Sequence, residues 1–355
     1  MADDGGAAGT ELMRAEACTF GPGDDRLWDA YVSQSPDAGL YHRCGWARVI
    51  KRTYGHAPIY LWARDASRVR GVLPLVLFRG AMGGRSLVSL PFLDEGGLCA
   101  DSAEARTALW AAASDVAKRE RAPAIELRQG NPSGLPLAPL GSKVSVMLEL
   151  ASEADAMWKR LDAKVRNQVR KATSSGLTPA WCGIEALDDF YAVFAQNMRD
   201  LGSPVHSRRF FANILAEFDG DVRLLLVRDG ARVVAGGICI VFRDTVLVPW
   251  ASSLREWRSR CPSNLLYWEV IRSACDKGLR WLDFGRSSPG GGTYKFKMQW
   301  GGRERPLHWQ VDPSDRASVI DSDDPRYRLM IRAWQRLPVR LTTVIGPILR
   351  RRLSN

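Results

Sequence analysis

The stretch DFGRSSPGGGTYKFKMQWGG, residues 283–302, gathers the side chains of this chain best suited to chemistry. Asp283 and Arg286 flank the end of RWLDF (280–284), a short apolar run that reads as a buried strand. Asp283 fits two roles there: a general base or orienting group for an amine, or half of an Asp–Arg pair that fixes the loop. Lys295 and Lys297 follow, with Phe296 between them. Six glycines fall between 285 and 302, and those at 290–292 allow a tight turn and a close approach of backbone to a ligand. Their spacing matches neither G-x-x-x-x-G-K-[ST] nor a strand-following G-x-G-x-x-G, so a nucleotide P-loop is excluded. A catalytic loop and a plain flexible loop both remain.

Other chemistries find little support. There is no G-x-S-x-G elbow and no Cys–His or Ser–His–Asp set at a workable spacing. The seven cysteines include no C-x-x-C pair, and the four histidines lie far apart. Disulfides and a metal site are therefore not expected, and a reducing cytoplasm fits best. Most of the cysteines read as small buried apolar residues. The net charge of +11 calls for an anionic partner: nucleic acid, a phosphorylated cofactor or an acidic membrane surface. Much of the excess sits at one end, since residues 325–355 hold eight arginines and no acidic residue. No apolar run is long enough to span a bilayer, and the opening MADDGGAAGTELMRAEA lacks the basic and apolar segments of a secretory signal.

The elements that must position these groups recur. LWARDASRVRGVLPLVLFRG (61–80) aligns without gaps to LLVRDGARVVAGGICIVFRD (225–244), each reading as strand, polar turn, strand. A helix and a short strand follow each copy: 103–122 with AIELR (124–128), and 262–278 with RWLDF. This predicts an internal repeat of a mixed α/β unit. In the second half SVMLEL (145–150) predicts a strand. One helix is expected over about 157–174, capped by Ser152 and ended by Gly176, its apolar stripe formed by Met157, Leu161, Val165, Val169 and Ala172. Helices 185–200 and 207–218 come next. NPSGLPLAPLGSK (131–143) reads as the linker. The expected division is a disordered tail at 1–14, a first domain at 15–135, a second at 136–312 and a basic C-terminal tail at 313–355, which Pro338 and Pro347 break into short pieces.

At this point the chain resembles the FemAB-like acyltransferases, which carry the GNAT fold, commonly duplicated. The resemblance rests on YHRCGWARVIKRTYGHAP (41–58), KVRNQVRKATSSGL (164–177), LGSPVHSRRFF (201–211), the 225–244 hairpin, NLLYWEVIRSACDKGLRWLDFGRSS (264–288) and GGTYKFKMQWGG (291–302). It covers roughly 40–310. Together with AWQRLPVRLTTVIGPILRR (333–351), it looks closest to the branch associated with exosortase and exopolysaccharide clusters. The fold implied is two tandem GNAT-like domains with mixed sheets flanked by helices. The activity implied is N-acylation of an amine on a cell-envelope precursor, with the second domain carrying the reaction.

The resemblance also assigns roles. Lys297 matches the FK pair that faces the donor phosphate or the reacting carbonyl, and a cation there stabilises an oxyanion by about 3 kcal/mol. Asp283 and Arg286 join it as catalytic candidates. Ser263, Asn264, Gly291, Gly292, Tyr294 and Phe296 are the donor-binding candidates, and His206, Arg208, Arg209, Lys164 and Arg166 the acceptor-binding ones. The donor is expected to be acyl-CoA, with aminoacyl-tRNA-dependent transfer to a peptidoglycan precursor as the alternative. The acceptor is an amino-sugar or lipid-linked glycan precursor. One departure bears on the donor: the [QR]-x-x-G-x-[GA] pyrophosphate loop of CoA-dependent enzymes is replaced by REWRSRCPSNLL (255–266), which has no glycine. A non-catalytic RNA- or ligand-binding module on the same scaffold is the rival outside the enzymes. The location expected is cytoplasmic, with the basic tail at the inner membrane face.

Overall fold

The computed structural model describes residues 13–18, 21–65, 68–80, 83–312 and 325–354. The expected tail at 1–14 falls almost wholly outside these residues, but Arg14 already opens a strand. In the first half β1 (Arg14–Ala17), β2 (Ala57–Arg64), β3 (Val69–Arg79), β4 (Arg85–Val88), β5 (Cys99–Ala100), β6 (Ile125–Gln129) and β7 (Ala138–Pro139) combine with α1 (Pro22–Gln34), α2 (Gly45–Tyr54) and α3 (Ala103–Arg119). The second half has β8 (Lys143–Glu149), β9 (Leu177–Cys182), β10 (Val222–Asp229), β11 (Arg232–Phe242), β12 (Thr245–Ser253), β13 (Trp281–Ser287) and β14 (Arg303–Asp312). Its helices are α4 (Ala154–Arg160), α5 (Ala163–Ser174), α6 (Leu187–Leu201), α7 (Arg208–Glu217), α8 (Pro262–Asp276) and α9 (Gly292–Met298). Helices α10 (Pro325–Gln335) and α11 (Val339–Arg350) follow.

The repeat read from the two hairpins extends to five strands in each half. The sheet runs β1-β2-β3-β4-β6-β14-β8-β13-β12-β11-β10-β9. Read from either edge, three antiparallel pairings lead to one parallel pairing, β4 with β6 and β12 with β13. The crossover helix of each half, α3 or α8, spans that parallel step, as such a step requires. β14 joins the halves: Arg303–Leu307 pairs with β8, and His308–Asp312 pairs with β6.

The largest core cluster lies between the halves. It packs Trp28 and Trp46 of α1 and α2 against Phe190, Phe210 and Phe211 of α6 and α7. Helix α5 and α8 cover the other face of the second sheet, and α3 that of the first. The single helix expected over 157–174 is two. Leu161 is extended, and Asp162 restarts the helix by accepting the Lys164 N–H at 2.7 Å, so a local cap overrides a continuous apolar stripe. Ser152 does not cap; the N-cap is Glu153, without a side-chain bond. At the C-terminus, Pro338 separates α10 from α11 as expected, whereas Pro347 lies inside α11 and does not break it.

Candidate active site

β12 and β13 pair only where Thr245–Leu247 meets Trp281–Asp283, although both run on toward their C-terminal ends. Each strand is irregular just where they part. On β12, Val248 and Pro249 together oppose Cys239 of β11, a bulge that suits a residue with no N–H to give. On β13, Phe284 and Gly285 together oppose Val146 of β8. Gly285 has φ +74°, and a Cβ there would lie 3.6–3.7 Å from the Val248 carbonyl, Pro249 and the Asp94 carboxylate. The backbone groups of β12 beyond Leu247 thus have no β13 partner, which leaves polar main chain at the mouth of the sheet.

Lys297 closes the floor of this opening. The 290–292 glycines are not a long loop: Gly290 turns at φ +77° and Gly291 caps α9, a helix that the sequence reading did not foresee. From α9 the Lys297 Nζ donates to the Gly285 carbonyl at 2.8 Å and the Arg286 carbonyl at 3.0 Å, fixing the bulge. Its side chain is buried, the residue being 5% exposed. Burial pulls its pKa down to about 8, against the pull of Asp94 and Asp283.

Around Lys297, carboxylates and cations from both halves meet. Asp94 bonds the Arg286 N–H at 3.2 Å and approaches its Nε at 3.2 Å. Glu95 takes a two-pronged bond from Arg305, one prong at 3.0 Å, and burial raises the Glu95 carboxyl. Asp283 accepts from the Ser145 hydroxyl and from the Gly285 N–H at 2.7 Å, with Arg305 3.6 Å away. Trp309 holds the Arg128 and Arg286 guanidiniums over its ring at 4.3 and 4.7 Å and donates to the Asp94 carbonyl at 2.9 Å. Asp283, Arg286 and Lys297 therefore do come together. Asp94, Glu95, Arg128 and Arg305 were missed; the one local hint was the acidic pair in PFLDEGG, next to two glycines.

The remaining candidates are dispersed. Phe296 packs against Tyr267 and Trp300 at 5.5 and 6.3 Å, as a core aromatic does, and Tyr294 bonds Glu304. Gly292 starts α9 with open space where a side chain would stand. At the start of α8, Ser263 bonds Ser253 at 3.0 Å and Asn264 bonds Gln168 of α5 at 3.0 Å. The Asn264 and Leu265 N–H groups donate to the Cys261 carbonyl, and Pro262 has none, so this helix start offers little to a phosphate. Lys164 is exposed on α5, one turn before Gln168, and Arg166 is half-buried there. Arg208 pairs with Asp188 at 3.1 Å on the surface, beside the exposed Arg209. His206 is buried: Tyr54 bonds its Nδ1, Arg350 its Nε2 at 3.2 Å, and Phe210 stacks on it at 4.5 Å. Its ring is thus engaged by the protein on both nitrogens.

The parallel step of the first half is closed by contrast. Ser89 continues the β4–β6 pairing by donating its N–H to the Glu126 carbonyl and then takes the Arg128 N–H on its hydroxyl at 2.6 Å. The Gln129 side chain lies where any side chain at Gly97 would stand. Among the described residues no group of His, Cys, Asp and Glu could hold a metal, and no helix is long and apolar enough to cross a membrane.

Comparison with known proteins agrees with this geometry. Residues 159–298 match the acetyltransferase (GNAT) domain family. FemX, a FemAB-family protein, superposes with a TM-score of 0.66 at 16% identity, covering 80% of this chain and 95% of its own. The C-terminal domain of a lysylphosphatidylglycerol synthetase from Agrobacterium fabrum gives 0.55 at 11% identity, over 83% and 93%. A tandem GNAT protein from the clavulanic acid biosynthesis pathway gives 0.52 at 12%, over 87% and 99%. No curated protein matches the chain by sequence. Residues 159–298 thus carry a GNAT acetyltransferase domain, and the chain as a whole has the fold of tandem GNAT proteins.

Proposed function

We propose that this protein transfers an acyl group, acetyl in the first instance, from acyl-CoA to an amine on an exopolysaccharide or other cell-envelope glycan precursor, as in the exosortase-associated branch it resembles. The carrying observation is the opening between β12 and β13, floored by Lys297 and walled by Asp94 and Arg286 from opposite halves. An acyl carbonyl entering there would lie against β12 main chain that has no β13 partner beyond Leu247, where a backbone N–H would serve as the donor that an oxyanion needs. Held against two carbonyls, the Lys297 ammonium keeps the Gly285 bulge in place and adds positive potential below the reacting atom. The amine attacks the carbonyl carbon, the tetrahedral oxyanion forms and collapses with cleavage of the C–S bond, and the departing thiolate of CoA takes up the proton that the amine nitrogen loses. The closed step in the first half supports a single donor site, with the first half shaping the acceptor side.

A second reading has its own observation. The start of α8 lacks a glycine cradle, and two of its N–H groups go to the Cys261 carbonyl, which favours a donor other than CoA. Aminoacyl-tRNA is that donor, and the likeness to FemX and to a lysylphosphatidylglycerol synthetase is in keeping with it. Calorimetric titration with acetyl-CoA separates the two. Micromolar binding that weakens tenfold or more in Lys297→Ala supports acyl-CoA. Silence at millimolar ligand sinks it and brings charged tRNA forward.

A further inference from the structure

The exposed apolar surface of this protein is concentrated at one place. Of the ten large hydrophobic side chains that stand exposed among the described residues, seven lie between Leu329 and Leu353. On α11, Leu341, Val344 and Ile348 fall at three- and four-residue spacing and form one outward stripe, Val344 and Ile348 each 64% exposed. Arg340, Arg351 and Arg352 are exposed alongside. The inner side is fixed. Thr342 and Gly346 are buried, and Gly346 meets Val205 so closely that a Cβ would stand 2.9 Å from its Cγ1. Arg199 donates to the Leu337 carbonyl at 3.2 Å, His56 bonds the Arg351 carbonyl at 2.9 Å, and the Ser354 carbonyl accepts from Phe92 and Arg128 at 2.8 and 2.9 Å. The stripe is therefore not the loose face of a drifting tail.

We propose that α11 lies in the plane of an anionic lipid bilayer, with Leu341, Val344 and Ile348 in the acyl boundary and the arginines among the headgroups. Two properties select this occupant. The apolar stripe needs an apolar interior, and the exposed Arg340, Arg351 and Arg352 beside it, in a segment with no Asp or Glu over 325–355, need negative charge. RNA supplies only the charge. A second copy supplies only the apolar face and sets arginine against arginine. α11 brings Arg350 to His206, and the residues after it bring the Ser354 carbonyl to Arg128, which shares the Trp309 ring with Arg286, so lipid docking sets this side of the candidate site toward the membrane surface. Docking does not depend on which acyl donor the protein uses.

The test is co-sedimentation of the full chain with phosphatidylcholine vesicles, with and without about one third phosphatidylglycerol. Three exposed arginines predict partitioning about 100-fold stronger onto the anionic vesicles, weakened by salt. Val344→Glu/Ile348→Glu lowers it at least tenfold. Both positions face solvent, so the thermal melt of the variant stays at the wild-type value and excludes misfolding. The proposal is overturned if wild type does not pellet with anionic vesicles or if the double variant pellets equally well. It is also overturned by a dimer in light scattering that the variant abolishes, or by binding to unacylated tRNA without binding to vesicles.

Discussion

Replacing Lys297 with methionine tests whether the ammonium in the β13 bulge is held charged at a cost. Methionine fills the same space without titrating. In the folded protein burial lowers the lysine to about 8, whereas an unfolded chain titrates near 10.4. Between these values the unfolded state binds more protons, so rising pH favours the native protein. The cost of the buried charge is fully present below about pH 8 and is relieved as pH climbs toward the unfolded value. Each pH unit in that window contributes about 1.4 kcal/mol, giving ~3 kcal/mol across it. The assay is urea unfolding of wild type and Lys297→Met from neutral to alkaline pH. All other groups titrate alike in both, so the difference isolates this lysine. With a slope of about 3 kcal/mol per molar urea, the wild-type midpoint should gain roughly 1 M on the variant between about pH 8 and pH 10. Parallel midpoints would refute the buried ammonium, and a gain by the variant would reverse the sign of the argument.

Two further outcomes are expected. Gly285→Ala places a Cβ at φ +74° against the Val248 carbonyl and Asp94, which costs about 1–2 kcal/mol of strain. The melting temperature should fall by a few degrees, while acyl transfer falls far more because the bulge aims Lys297 and Arg286; unchanged kinetics would separate the bulge from catalysis. His42 accepts the Gly39 N–H on Nδ1 at 3.0 Å and meets the Gly97 carbonyl through Nε2 at 3.1 Å, an arrangement for the neutral ring, and burial pulls its pKa down to about 4. The protein should therefore lose stability as pH falls below the ordinary histidine value, by about 1.4 kcal/mol per unit from this residue. Urea unfolding of His42→Gln at mildly acid and neutral pH should show a flatter acid limb, and an unchanged limb would assign acid sensitivity elsewhere.

What the sequence determined by itself was local. The hairpins at 61–80 and 225–244 are legible because alternation and turn chemistry act over a few residues, and their repetition exposes the duplicated fold. The helices over 103–119 and 262–276 and the strands after them follow for the same reason. The 283–302 stretch is legible as a candidate site through residue types, but not that its glycines cap a helix or that Lys297 turns inward to bond main chain. Tertiary structure alone decided the rest. Asp94 meets Arg286 across 192 residues of chain and Glu95 meets Arg305 across 210, and such pairs leave no periodic mark on either segment. It also turned the basic C-terminal segment from a tail into a docked pair of helices, because the bonds that hold α11 come from Arg199, His56, Phe92 and Arg128 in distant elements. Periodicity reports which side of an element is buried. Which charge is buried against which depends on how the two halves close, and only the closed fold supplies the low-dielectric surroundings that give those pairs their strength.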